Sequence, residues 1–245
     1  MKIRCKLTIL CMVFMLLMSI SAISSVYAST SIPISYLDYH SRYTFDMKDI
    51  KGTHYMVYIF SDDEKQLPIG KNSWFSEKDQ VFKGNYSTAI VSQHSRVATT
   101  QDCKLFGFGN KDYTEGTFNT NDTAFKNKAY VIRSKYSGQP DILVVAQQVT
   151  GSGDANIRAF FVEDGTLYLI YWQNKYGSIF KSINTNGFKA IENLDAMSFK
   201  SFEWARSMEY TGELEDKWKL DLSRRTMVFG EQILLNKAWT KKSQQ

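Results

Sequence analysis

The chain reads as mainly β: an antiparallel, sandwich-like or barrel-like domain with one or two short helices. Three observations predict this. Short runs of β-branched and aromatic residues recur along it, separated by Gly, Asn, Asp and Ser clusters. One pair of runs flanks an Asp-Gly dipeptide. Helical periodicity is sparse, and many short strands with few helices imply a sandwich or barrel.

The Asp-Gly pair anchors the clearest region. Ala129–Arg133 is a short strand-like run that ends in the turn cluster Ser137-Gly138-Gln139-Pro140. Ile142–Val149 follows and stops at Thr150-Gly151-Ser152-Gly153-Asp154. Asn156–Glu163 and Thr166–Trp172 flank Asp164-Gly165, residues that accept the two positive φ angles of a type I′ hairpin turn. Counting outward pairs Glu163 with Thr166, Val162 with Leu167, Phe161 with Tyr168, Phe160 with Leu169 and Ala159 with Ile170. Directly opposed residues share a face. One face is therefore Val162, Leu167, Phe160 and Leu169, and the other Phe161, Tyr168, Ala159 and Ile170. Both are apolar, which predicts a central hairpin covered on both sides.

The remaining elements give weaker signals. His54–Phe60 reads as a strand that turns at Ser61-Asp62-Asp63-Glu64. Residues 87–99 hold one long strand or two short ones, 104–108 are a further candidate, and Lys217–Leu222 alternates as Trp218, Leu220, Leu222. The stretch 107–128, rich in Asn, Thr and Asp, reads as looped. The two helix candidates are Asn193–Ala205 and Glu231–Thr240, where Leu234 and Leu235 meet Ala238 and Trp239 at four-residue spacing.

The N-terminus has a separate logic. Lys2, Arg4 and Lys6 precede an uncharged apolar run of 14 residues, Leu7–Ile20, and a polar stretch ending in Val26-Tyr27-Ala28. This is the tripartite pattern of a cleavable signal peptide, residues 1–28, with the cut expected between Ala28 and Ser29. The run falls short of the ~20 apolar residues a membrane-spanning helix needs. The expected product is one β-rich exported domain, 29–245, secreted or periplasmic and without a stable membrane anchor after cleavage.

Cleavage alters what composition implies. The chain has 30 Lys and Arg against 25 Asp and Glu; three basic residues leave with the signal, so the mature part has 27 against 25. That balance argues against nucleic acid as a partner. Cys5 and Cys11 also leave, so Cys103 has no partner for an internal disulfide and reads as a small core residue. About 217 residues suffice for one large core.

No pattern in the chain specifies catalysis, a metal or a cofactor. His40, His54 and His94 lack metal-ligand spacing. Asp62-Asp63-Glu64, Glu163-Asp164 and Glu192 with Asp195 are carboxylates in turn-like contexts. The residues before Cys103 loosely resemble those of cysteine transpeptidases but lack the threonine-leucine pattern and the following arginine. Residues 137–144 resemble the strand entry of calcium-binding propeller repeats, without the upstream aspartates that hold the ion. Asn85-Tyr86-Ser87 and Asn121-Asp122-Thr123 match the N-glycosylation pattern.

Aromatic side chains are 14% of the chain. Trp74, Trp172, Tyr176, Trp204 and Trp218 are the candidate ligand contacts, since exposed rings stack on sugars or fill peptide grooves. Packing within a β core is the competing reading. The expectation is a non-enzymatic binding module for an extracytoplasmic ligand, glycan or protein. A hydrolase of an extracellular polymer and a structural or envelope-assembly protein are the alternatives.

Overall fold

A computed structural model describes residues 30–68, 79–106, 116–119, 125–149, 153–206 and 210–239. In chain order its elements are β1 (Ser31–Pro33), helix α1 (Ile34–His40), β2 (Ser41–Lys48), β3 (His54–Phe60), β4 (Lys65–Gln66), β5 (Val81–Lys83), β6 (Ser87–Ser92), β7 (Val97–Gln101), β8 (Thr117–Asn119) and β9 (Lys128–Ile132). The second half adds β10 (Ile142–Gln148), β11 (Asp154–Glu163), β12 (Thr166–Gln173), β13 (Ile179–Phe180), β14 (Ile183–Asn186), β15 (Glu192–Asp195), β16 (Ser198–Arg206), β17 (Tyr210–Asp221) and β18 (Thr226–Trp239). The protein is mainly β, with α1 its one helix among the described residues.

The second half forms a nearly closed, barrel-like sheet in the order β15-β16-β17-β18-β12-β11-β10-β9, with β13 on β12 and β14 on β11. Pairing within it is antiparallel except for a short parallel contact, in which Tyr171–Gln173 of β12 lie beside Thr226–Val228 of β18. Side chains, rather than a ladder, link the two ends of the sheet. Tyr130 on β9 accepts a hydrogen bond from the Ile191 amide (3.1 Å). Gln139 donates to Asn193 on β15 (3.1 Å) and accepts from the Met197 amide (2.6 Å). The interior is filled by side chains including Ile142, Phe161, Ile170, Trp172, Phe199 and Trp218.

The β11–β12 hairpin has the register that the Asp-Gly turn predicts, from Glu163↔Thr166 to Ala159↔Ile170. Asp164 and Gly165 both adopt positive φ, 47° and 76°, as a type I′ turn requires. Both faces are covered. Ala159, Phe161 and Ile170 point into the barrel. Phe160, Val162 and Leu167 pack outward against Met47, Val57 and Ile59, residues of a five-stranded sheet ordered β1-β7-β6-β3-β2. The other side of that sheet buries Tyr58, Phe60, Ala89 and Val91 beneath Leu37 of α1. Three apolar layers result, and β10–β12 belong to two of them. A third, three-stranded sheet has the order β4-β5-β8.

Several local expectations are corrected. Both proposed helices are strands: 193–205 forms parts of β15 and β16, and 231–239 lies in β18. Cross-strand pairing with β17 overrides the four-residue spacing of Leu234, Leu235 and Ala238. The true helix, α1, spans seven residues, just under two turns, and has no side-chain cap, so it carries no capping signal and too short a periodic pattern to stand out. Of the candidate strand 104–108, residues 107 and 108 lie outside the described residues and 104–106 are not a strand; the carbonyls of Lys104 and Phe106 instead accept hydrogen bonds from buried Arg158, each 2.6 Å. Residues 87–99, read as one long strand or two short ones, belong to two short strands, with His94 in the turn between them.

Candidate functional site

The five candidate aromatics separate by environment. Trp172 and Trp218 are not at the surface. They lie inside the barrel with ring centroids 5.0 Å apart at 82°, and Trp218 donates its indole N–H to Ser201 Oγ at 2.9 Å. Each occupies an inward-facing strand position next to a long partner strand, where a large ring fills the barrel. Trp204 is exposed on β16, and Trp74 lies outside the described residues. Tyr176 is the most open, at 80% exposure, on the turn between β12 and β13.

That turn is built to hold its shape. The Asn174 side-chain oxygen accepts from the amides of Tyr176 (3.0 Å) and Ser178 (2.9 Å). The Asn174 backbone bonds to Ser178 O (3.0 Å) and accepts from Gly177 N (2.9 Å). Gly177 takes φ +83°, which glycine alone adopts without strain. Gln173 donates to Gly177 O at 3.2 Å and accepts from Arg224 at 2.6 Å. Every residue from Lys175 to Lys181 is exposed, so the turn displays Tyr176, Ile179 and Phe180 between two lysines with no carboxylate among them. Ile179 and Phe180 were not anticipated; the Gln173-Asn174-x-x-Gly177 spacing is the signal that would have marked the turn.

Two other places have chemical character. A groove of about 570 Å³ is lined by Met197, Leu220, Leu222, Val228 and Phe229, with Lys219 and Asp221 adding charge. Its size suits a small apolar ligand. On the β16–β17 pair, Ser201 opposes Asp216 and Glu203 opposes Leu214, so Glu203 and Asp216 are diagonal neighbours. Burial pushes the Glu203 carboxyl up, and the charges of Asp216 and Asp154 add to this. Burial also raises Asp216, which partly regains its anionic form by accepting from Gln232 at 2.7 Å. Neither carboxylate was singled out from sequence, where alternating polar and apolar residues give no sign of burial.

The other carboxylates considered have local structural partners. Asp63 is held below the usual range chiefly by the Asn85 amide, with Ser61 and the Asn85 side chain also donating. Glu64 is half-buried between Arg42 and Tyr86, whose hydroxyl donates at 2.7 Å. Glu163 meets Arg225, Asp164 meets Lys51, and Glu192 meets Lys200. Asp195 accepts from the Ala196 amide. Asp141, in the stretch resembling a calcium-binding repeat, is buried and accepts from the amides of Ser134 (2.8 Å) and Lys48 (3.2 Å) and from Arg133 (2.9 Å).

Cys103 packs in the layer between the sheets, its sulfur 2.9 Å from Thr88 Oγ1. Burial pushes its thiol up to about 11, so it is protonated at neutral pH and lacks the thiolate of a nucleophile. His54 pairs with Asp46 at 2.9 Å, and His40 stacks on Tyr36 and bonds to its carbonyl. Among the described residues no group of three or more His, Cys, Asp or Glu is placed to hold a metal ion. Asn85 is exposed, while Asn121 lies outside the described residues. No known family matches this chain, and no curated protein or solved structure is similar to it.

Proposed function

We propose that the protein is an exported, non-enzymatic binding module that contacts a protein partner through the β12–β13 hairpin. The observation that supports this is the unbroken exposed run Lys175–Lys181, held by an internally hydrogen-bonded turn on a packed barrel. Three large apolar side chains in water add nothing to folding, and a rigid mount lowers the ordering cost of binding. Apolar anchors between lysines fit an apolar recess with an acidic rim. Export follows from the N-terminal pattern, and N-terminal sequencing of the released protein is expected to begin at Ser29.

The test uses immobilised mature protein challenged with fractionated extracytoplasmic proteins of the producing organism, read by surface plasmon resonance. A Tyr176→Ser/Phe180→Ser variant is expected to keep its unfolding midpoint within about 2 °C, since both sites are exposed, and to lose at least tenfold in affinity for the bound fraction. Undiminished binding would remove the hairpin from the contact. The hydrolase reading draws on the Glu203–Asp216 pair, because raised carboxyls are what general acids use. Polymer cleavage abolished by Glu203→Gln would favour it instead.

A further inference from the structure

The outer face of the three-stranded ribbon β16-β17-β18 sets an exposed indole beside a buried ion pair. β16 and β17 pair without a register shift from Ser198↔Lys219 to Arg206↔Thr211, so Phe202 lies opposite Glu215 and Trp204 opposite Glu213. These four share one face, and Phe199 and Trp218 project from the other into the barrel. Phe202 is buried, with the Lys189 ammonium 4.4 Å from its ring centroid, whereas Trp204 is 38% exposed. The Glu213 carboxylate is buried, and both of its oxygens are engaged. Lys189 donates to Oε2 at 2.5 Å and the Asn186 amide to Oε1 at 3.0 Å. The loop that brings in Asn186 and Lys189 is fixed: Asn186 Oδ1 accepts from the Phe188 amide (2.9 Å), and Gly187 donates to Gly153 O (2.9 Å). The Gly187 carbonyl accepts from the amides of Phe125 (2.8 Å) and Lys126 (3.1 Å). A Cβ at Gly187 would lie 2.7 Å from Gly153 O, so the close approach requires glycine.

The chemistry of this patch says what fits it. A buried ion pair contributes little net stability, because desolvation offsets the attraction. What the pair supplies is a donor and an acceptor held beside an open aromatic plane. Lys189 has three N–H donors and spends one on Glu213, and each Glu213 oxygen keeps a second acceptor site. Charge on this face is already cancelled, Lys189 by Glu213 and Lys200 by Glu192 and Glu215. An ionic ligand would have to compete with those pairs, whereas a hydroxyl can donate to one partner and accept from the other. The nearby exposed ring, Phe188, has the Lys126 ammonium over it at 5.0 Å, which leaves Trp204 as the stacking plane. One open ring rimmed by ion pairs is also far smaller than the ~800 Å² that a stable protein partner covers. A ligand with an apolar C–H face and hydroxyls at its edge matches both halves of the site.

We propose that Trp204, Lys189 and Glu213 form a binding site for a neutral saccharide, one sugar ring stacking on the indole while its hydroxyls bond to the ion pair. The rigid loop and the paired strands hold the three groups in place before the ligand arrives, which lowers the ordering cost of binding. This site lies on different elements from the β12–β13 hairpin, and the inference stands or falls independently of that contact.

Isothermal titration of the mature chain with cellohexaose, chitohexaose and maltohexaose, each taken to ~5 mM, tests this. At least one is expected to bind, with a Kd that changes less than about twofold between low and high salt, because no net charge is matched. Trp204→Ala is expected to raise that Kd at least tenfold, and Trp204→Tyr to keep it within about threefold of the parent. Both substitutions are expected to leave the unfolding midpoint within about 2 °C, since the ring stands partly in water. A Lys189→Met/Glu213→Gln double variant removes both charges together and orphans no buried ion, and it is expected to weaken binding at least tenfold. Absence of binding by all three probes, or binding that Trp204→Ala leaves intact, would overturn the proposal. Tighter binding of the acidic hexamer of galacturonic acid than of every neutral probe would overturn it as well.

Discussion

Glu203 shows how a single position can work against the fold at neutral pH. Its carboxyl is raised by burial first and by neighbouring carboxylates second, so the folded state favours the protonated form more than the unfolded chain does. The stabilising contribution is therefore present below the ordinary carboxylate value of about 4.3 and is lost as pH rises through the folded-state value. Above that value the ion sits where an uncharged group would be better tolerated. Glu203→Gln is expected to raise the thermal unfolding midpoint at pH 7 relative to the parent, with the gap closing as pH falls to about 4. Thermal melts at the two pH values check this, and a gap that ignores pH would mean that the charge plays no part. Asp63 and Glu64 have the opposite sign. Both are held down by donors, so their contributions exist above the carboxylate range and fade in acid.

At the scale of elements, the β17–β18 pair turns on a close approach. A Cβ at Gly212 would lie 2.3 Å from the Asn236 carbonyl oxygen and 3.0 Å from a Leu234 methyl. The first is backbone, so Gly212→Ala has to part the two strands near the ribbon tip. Faster amide hydrogen exchange over 232–236 is expected, with 142–146 in the barrel unchanged; protected amides at 232–236 would show that the strands absorb the methyl. This ribbon is also where sequence reading failed most. The β11–β12 hairpin was legible to the residue because Asp164-Gly165 fixes its turn chemistry and both faces are uniformly apolar. β18 was not, because the register shifts against β17 at Glu213/Leu214 and Lys217/Trp218, which breaks the two-residue alternation and leaves a helix-like spacing. Site residues were less legible. Tyr176 was named only as one aromatic among five and its turn went unread, whereas the burial of Trp172 and Trp218 follows from ring closure by distant strands. No local pattern records that closure.

Across the whole molecule, the consequential feature is that β10–β12 serve two cores. Phe161 points into the barrel and Phe160 into the layer under the five-stranded sheet; both are completely buried on adjacent positions of one strand. Asp141 ties the same region down by accepting from Lys48 at the end of β2 as well as from Ser134. The barrel cannot lose β11 without exposing the apolar face of the other sheet, and the reverse also holds, so 31–239 is expected to unfold in one cooperative transition. Truncating either phenylalanine removes a buried ring and leaves a cavity, at a cost of about 3–5 kcal/mol. If the cores are coupled, Phe160→Ala and Phe161→Ala each lower the stability of both by the same amount, although each ring touches only one. Native-state hydrogen exchange separates the alternatives, using the amides of Val57 and Ile59 for the five-stranded sheet and those of Ile170 and Trp172 for the barrel. Equal losses at both sets of probes are the expected result for both variants. A loss confined to the sheet for Phe160→Ala and to the barrel for Phe161→Ala would mean that the two cores open separately and that the shared strands do not bind them into one unit.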